Sequence, residues 1–145
     1  MDFKREAIDK LKSYDAKQQS LQRTTEEILR LEEEMVSLQG ASSDSTPVSG
    51  GGSTQDEVLV NNIALRAELA KARTATKRWL DTVDAALSIL NDEEFRILDK
   101  MFIHSRKGQV EQLCGELHIE KSALYTKRNA ALRRFTLALY GVTEL

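Results

Sequence analysis

The sequence has little of what cross-links, interrupts or anchors a chain: one cysteine, Cys114, one proline, Pro47, and seven glycines among 145 residues. A single cysteine excludes an internal disulfide, and the shortage of turn residues disfavours a loop-rich β architecture. No apolar run approaches the roughly 20 residues that cross a bilayer, and residues 1–17 have mixed charge rather than the apolar stretch of a signal peptide. We therefore expect a soluble, all-α protein in a reducing cytoplasm.

Histidine and cysteine, which build many catalytic and metal sites, are also sparse: the chain has two His and one Cys. His104 and His118 have no cysteine or second histidine at metal-ligand spacing. The glycine run at 50–52 has no preceding strand and lacks the lysine and hydroxyl of a phosphate-binding loop. Cys114, without a histidine arranged as its base, is better interpreted as a packing residue than as a nucleophile. We predict a protein that is not an enzyme and uses no metal or other cofactor.

Charge is distributed unevenly along the chain, although the net charge is only −2. Residues 1–60 hold seven basic and twelve acidic side chains, whereas residues 61–145 hold fourteen and eleven. Within the basic half, residues 121–135 contain five Lys or Arg and no Asp or Glu. This asymmetry indicates that the carboxyl end is the part suited to bind a polyanion.

Two long helices are predicted on either side of a flexible linker. Residues 1–39 contain neither glycine nor proline, and residues 56–90 form the second helix, which a capping box at Thr54 and Glu57 would open. The linker, residues 40–55, holds four Gly, five Ser and the proline. We expect the helices to pair as a coiled-coil hairpin within one chain or as a dimerisation stalk between chains, and the sequence does not choose between these.

A spacing of three and four residues defines the packing stripe of each long helix. The first stripe consists of Phe3, Ala7, Leu11, Tyr14, Gln18, Leu21, Thr25, Ile28, Leu31, Met35 and Leu38. The second consists of Val58, Asn62, Leu65, Leu69, Ala72, Thr76, Trp79, Val83, Ala86 and Leu90.

Residues 91–145 are predicted to form a small helical domain that binds DNA. Asn91 and Glu94 have the spacing of a capping box, which starts a helix over 92–105. A second helix over 109–117 follows Gly108, and a third over 120–140 ends at Gly141. The last two helices, joined by a tight turn at His118 and Ile119, have the pattern of a helix-turn-helix.

The third helix has an apolar side and a basic, polar side. At 100° per residue, Leu124, Ala131 and Phe135 form the inward stripe. Hydroxyl and amide groups on the opposite side can hydrogen-bond base edges in the major groove, while Lys and Arg hold phosphates. The predicted DNA-binding residues are Lys121, Ser122, Tyr125, Thr126, Arg128, Asn129 and Arg133.

The segment LNDEEFRILDKMFIHSRKGQVEQLCGELHIEKSALYTKRNAALRRF resembles the fourth region of bacterial sigma factors. The whole order of a long helix, a Ser/Gly/Pro linker, a second long helix and this terminal module is similar to the small phage and prophage late-transcription regulators of the ArpU and RinA type. The positions that carry the resemblance are Leu113, Leu117, Leu124, Tyr125, Arg128, Ala131 and Leu132. Three positions depart from the family pattern, namely His118, Glu120 and Lys127.

The resemblance implies sequence-specific binding to double-stranded DNA upstream of phage late genes, in the cytoplasm of a bacterial host, with contact to host RNA polymerase. Carried over by position, Lys121, Ser122, Tyr125, Thr126 and Asn129 would face the DNA. Two other functions also fit the pattern. A small terminase-like subunit for DNA packaging joins a helix-turn-helix to an oligomerising helical segment, and a coiled-coil adaptor would use its basic helix to bind an acidic protein.

Overall fold

The computed structural model describes residues 2–44 and 52–142, and every regular element in these ranges is a helix. This confirms the predicted all-α fold. Within the same ranges, no helix combines the length and apolarity needed to cross a membrane. The elements are α1 (Phe3–Asp44), α2 (Gly52–Leu87), α3 (Asp92–Leu98) with a π-helical turn (Asp99–Ile103), α4 (Gln109–Leu117) and α5 (Lys121–Tyr140).

Both long helices extend into the predicted linker, residues 40–55. Helix α1 continues to Asp44 and α2 begins at Gly52, so Thr54 lies inside the first turn of α2 and does not cap it. The centre of the predicted linker, residues 45–51, lies outside the described residues.

The later helix boundaries follow the capping chemistry of the sequence. The Asn91 side chain accepts a hydrogen bond from the backbone N–H of Glu94 at 2.8 Å, and the Glu94 carboxylate accepts one from the N–H of Asn91 at 3.1 Å. This reciprocal pair confirms the capping box at the start of α3. Gly141 ends α5 with a φ of 77°, a left-handed conformation that glycine adopts without strain.

The chain divides into two compact units, and the division falls within both long helices. Unit 1 comprises Met1–Gln18 and Trp79–Leu145, and unit 2 comprises Gln19–Arg78. Unit 1 therefore contains residues 91–145, the predicted DNA-binding domain, together with the start of α1 and the end of α2. The start of α1 and the end of α2 belong to unit 1 because they supply part of its core.

The unit 1 core joins the start of α1, the end of α2 and helix α5. Its fully buried members include Ala7, Leu11, Leu98 and Phe135, each with no exposed surface. Tyr14 of α1 adds a polar contact at the edge, where its hydroxyl donates to Asp84 of α2 at 2.5 Å. Burial of this apolar surface holds α5 in place against the start of α1 and the end of α2.

In unit 2, the α1 side of the packing stripe is as predicted. Ile28 and Leu31 are buried, and Leu21, Met35 and Leu38 are partly buried.

On the α2 side, the predicted stripe is correct only at alternate positions. Asn62 is buried and Leu69 is partly buried, but Val58 and Leu65 are 38% and 45% exposed, and Ala72 is also exposed. The positions one residue further on, Leu59, Arg66 and Arg73, are partly buried instead.

Polar contacts account for this shift of the seam. The Asn62 amide donates to the Leu31 carbonyl at 2.9 Å, and the Arg66 guanidinium donates to the Asn62 side chain at 2.8 Å. Another nitrogen of Arg66 lies 2.7 Å from the Met35 sulfur. The aliphatic stem of an arginine can lie in an apolar seam while its head remains hydrogen-bonded, so Arg66 takes the place predicted for Leu65.

Candidate nucleic-acid interface

The tight turn between α4 and α5 is built by backbone hydrogen bonds to a single carbonyl. His118 adopts the left-handed conformation, with φ at 55° and ψ at 46°, and its N–H donates to the carbonyl of Cys114. The N–H of Ile119 reaches the same carbonyl at 3.1 Å. Glu120 is then extended and precedes α5 without a side-chain cap. The predicted turn at His118 and Ile119 is confirmed, and His118 takes a conformation that glycine adopts more easily.

A small apolar cluster fixes α4 against α5. Ile97 of α3, Leu113 of α4 and Leu124 of α5 are at most 1% exposed. Cys114 and Ile119 are partly buried against this cluster, so the structure places the Cys114 side chain in packing contact. The inward stripe of α5 is also confirmed, since Leu124, Ala131 and Phe135 have no exposed surface.

The seven predicted DNA-binding residues all lie on α5, within the span from Lys121 to Arg133. Tyr125 and Arg128 are partly buried, and the other five, Lys121, Ser122, Thr126, Asn129 and Arg133, are exposed. At 100° per residue, Ser122, Thr126, Asn129 and Arg133 lie on the side of α5 opposite Leu124, Tyr125 lies about a quarter-turn from it, and Lys121 and Arg128 lie at the margins of this polar side. We call this surface, defined by the seven residues, the α5 polar face.

Three members of the α5 polar face contact one another. The Arg128 guanidinium lies 4.7 Å from the centroid of the Tyr125 ring, within cation–π range. It also donates to the Asn129 side-chain oxygen at 3.0 Å. An arginine held by two neighbours has fewer rotamers to lose on binding, so the Arg128 side chain is partly preorganised. The Thr126 hydroxyl donates to the Ser122 carbonyl at 3.1 Å.

The five cations of residues 121–135 divide into two groups. Lys127 and Arg134 point towards the acidic first turn of α3: the Lys127 amine lies 2.7 Å from Glu93, and Arg134 pairs with Glu94. Arg134 also donates to the carbonyl of Ile89 at 3.2 Å. These two positive charges are therefore partly neutralised within unit 1.

The other three cations, Lys121, Arg128 and Arg133, belong to the α5 polar face. Within residues 2–44 and 52–142, no carboxylate lies at ion-pair distance from any of them. This face thus keeps its positive charge, whereas the side of α5 towards α3 loses it. The segregation follows from the acidic cap of α3, which attracts the cations within its reach.

Sequence reasoning left out two basic residues at the entry to α4. Arg106 and Lys107 are exposed and directly precede Gly108, which adopts a φ of 85° at the start of the helix. The adjacent basic pair before a glycine was the signal that could have identified them. They add to the positive charge of the helix-turn-helix.

In the part of the chain that the structure describes, no group of three or more His, Cys, Asp or Glu residues is placed to hold a metal ion.

Comparison with known proteins adds no relative. No protein-family model, no curated protein and no solved structure matches this chain.

Proposed function

We propose that the protein binds double-stranded DNA in a sequence-specific manner, with α5 as the recognition helix. The observation that supports this most directly is the division of the α5 cations. Lys127 and Arg134 are used inside the fold, while Lys121, Arg128 and Arg133 share a face with hydrogen-bonding side chains. The same face therefore offers cations that can hold phosphates and side chains that can hydrogen-bond base edges.

The two kinds of side chain have separate roles in this proposal. Ser122, Thr126 and Asn129 are exposed and short, so they can approach base edges in the major groove. Lys121 and Arg133 neutralise phosphates, as does Arg128 from its position beside Tyr125.

At the level of biology, we propose a transcriptional regulator of phage or prophage late genes, acting as an activator that contacts host RNA polymerase. This step rests on the resemblance of the helix order and of the terminal module to the ArpU and RinA type of regulator. The DNA contacts proposed for α5 do not depend on it.

A matched pair of neighbouring arginines tests the DNA contacts. The full chain and its Arg133→Gln and Arg134→Gln variants are titrated with duplex DNA from upstream of the gene's own operon, by fluorescence anisotropy at several salt concentrations. Loss of one phosphate contact lowers the slope of log affinity against log salt by about 0.9, and we expect this for Arg133→Gln only. Arg134→Gln instead lowers the melting temperature, because it removes the pair with Glu94.

Base reading is tested by Asn129→Ala on the same DNA and on a scrambled duplex. We expect a loss of about tenfold or more on the specific site and little change on the scrambled one. No binding to either duplex at low salt, or equal salt slopes for Arg133→Gln and Arg134→Gln, contradicts the proposal. The adaptor function predicts the first result, and a ring of many subunits in solution would indicate the packaging function.

A further inference from the structure

Unit 2 buries polar side chains between its helices and leaves large apolar ones outside. Asn62 is only 5% exposed, and the partly buried Arg66 lies beside it in the seam. Four aliphatic residues of the same segments keep about half or more of their surface exposed: Leu29 (54%), Val36 (69%), Val60 (62%) and Ile63 (49%). The largest contiguous apolar patch on a typical soluble monomer is roughly 300–600 Å² and is often functional, and four such side chains approach that size.

The four aliphatic residues lie on one side of the helix pair. Gln55 donates to the Leu38 carbonyl and Asn62 donates to the Leu31 carbonyl, so the two segments run antiparallel. Leu29, Val36, Val60 and Ile63 each come one residue after a seam residue, namely Ile28, Met35, Leu59 and Asn62. In two antiparallel right-handed helices, the same rotation from the seam leads to the same side of the pair.

Helix α2 carries a complete second stripe on this side. Val60, Ile63, Ala67, Ala70 and Thr74 follow spacings of three and four, the repeat by which one helix contacts another. All but Ala70 are exposed, and the two alanines at the centre allow a close approach of a further helix. Leu65 comes one residue before the seam residue Arg66 and lies on the opposite side. We call the surface of Leu29, Val36, Val60, Ile63, Ala67, Ala70 and Thr74 the second face.

Charge in unit 2 is not balanced between facing segments. Residues 26–34 of α1 contain five Glu and one Arg, whereas residues 71–78 of α2 contain four basic residues and no acidic one. The bond between Asn62 and Leu31 sets the acidic block level with residues near 59–67, where Arg66 is the single charge. The acidic and basic blocks of one chain therefore do not face each other.

We propose that the second face packs against the second face of another copy of this chain, so that two copies of unit 2 form a four-helix bundle about a two-fold axis. An axis between Ala67 and Ala70 sets each α2 antiparallel to its copy, with Ile63 opposite Thr74 of the second copy. The same operation brings the acidic block of α1 level with the basic block of the second copy's α2. In this arrangement α1 and the second copy's α2 are diagonal helices of the bundle, so the two blocks attract each other at longer range and favour the same register as the apolar stripe.

The proposal does not depend on DNA binding, because the mass of the full chain is measured without DNA. Sedimentation equilibrium of the wild type between about 1 and 100 µM is expected to show a dimer, and a monomer throughout that range overturns the proposal. Two exposed alanines of α2 make a matched pair. Ala67→Glu places like charges of the two copies together and is expected to raise the dimer Kd by about 30-fold or more. Ala64→Glu, outside the stripe, leaves the Kd unchanged.

Two further comparisons fix the face and the register. Ile63→Glu is expected to dissociate the dimer and Leu65→Glu is not, and the reverse result overturns the choice of face. Lys77→Glu is expected to weaken the dimer, most clearly at low salt, and adding Glu33→Lys is expected to restore it in part. If Ala67→Glu fails to fold, as judged by its far-UV circular dichroism, the comparison of Ile63→Glu with Leu65→Glu decides the face, and absence of any restoration by Glu33→Lys overturns the register.

Discussion

The two units are both helical, but they are stabilised by different kinds of contact. Unit 1 has an apolar core in which Leu98, Ala131 and Phe135 have no exposed surface. Unit 2 has a seam with Asn62 and Arg66, while aliphatic side chains such as Val36 remain exposed. The difference shows that apolar burial dominates in unit 1, whereas polar groups take part in the helix packing of unit 2.

The largest effect is expected from breaking the unit 1 core. Phe135→Ala removes a fully buried ring beside Leu11 and Leu98 and should lower the free energy of unfolding by about 3–5 kcal/mol. Denaturant unfolding followed by the fluorescence of Trp79, the single tryptophan, reports on unit 1 directly. Leu137→Ala on the same helix is the control, because Leu137 is 51% exposed and its loss should change stability by no more than about 0.5 kcal/mol. Equal losses for both variants would mean that unit 1 lacks the core described above.

A smaller effect is expected from the polar seam of unit 2. Asn62→Ala removes the bond to the Leu31 carbonyl and one contact of Arg66, which should cost about 1–2 kcal/mol. Hydrogen exchange of the amides around residues 56–70 measures this loss segment by segment. Asn61→Ala, one residue away and exposed, is the matched control and should leave exchange unchanged. If Asn62→Ala exchanges no faster than Asn61→Ala, the seam does not depend on its asparagine.

Much of unit 1 could be predicted from the sequence because its signals are local. The capping box of Asn91 and Glu94, the C-cap at Gly141 and the stripe that begins at Leu124 each depend on spacing within one helix. The ion pairs of α5 could not be predicted in the same way. Lys127 and Glu93 are 34 residues apart, and only the packing of α5 on α3 brings them together.

The α2 seam shows a second limit of sequence reasoning. A four-three repeat fits Val58 and Leu65 as well as it fits Leu59 and Arg66, and hydropathy favours the first pair. In the structure the second pair lies in the seam. Asn62 bonds across the seam to the Leu31 carbonyl and Arg66 bonds to Asn62 on the same helix, and leucine can form neither bond. The functions proposed for the α5 polar face and for the second face remain predictions that the experiments above test.

The smallest effect concerns pH, and it sharpens the contrast between the units. In unit 1, the ring of His104 lies between two carboxylates, with one nitrogen 2.6 Å from Asp99 and the other 2.8 Å from Asp15. A neutral imidazole has one N–H, so only the protonated ring can donate to both. The hydrogen bond to Asp99, with the charges of Asp99 and Asp15, raises the pKa of His104 above 6.5, against a smaller opposing effect of burial.

The folded pKa of His104 lies above the unfolded value. The contacts of His104 with Asp99 and Asp15 therefore stabilise the fold fully below about pH 6.5. Their contribution is lost as pH rises through the folded pKa. The measurement is the difference in unfolding free energy between the wild type and His104→Gln from pH 5.5 to 8.5, which should shrink with rising pH. In unit 2 the seam contacts of Asn62 and Arg66 involve no histidine or carboxylate, so amide exchange around residues 56–70 should show no matching dependence once corrected for intrinsic rates. A difference that stays flat would mean that His104 is neutral in the folded protein and bonds one aspartate at a time.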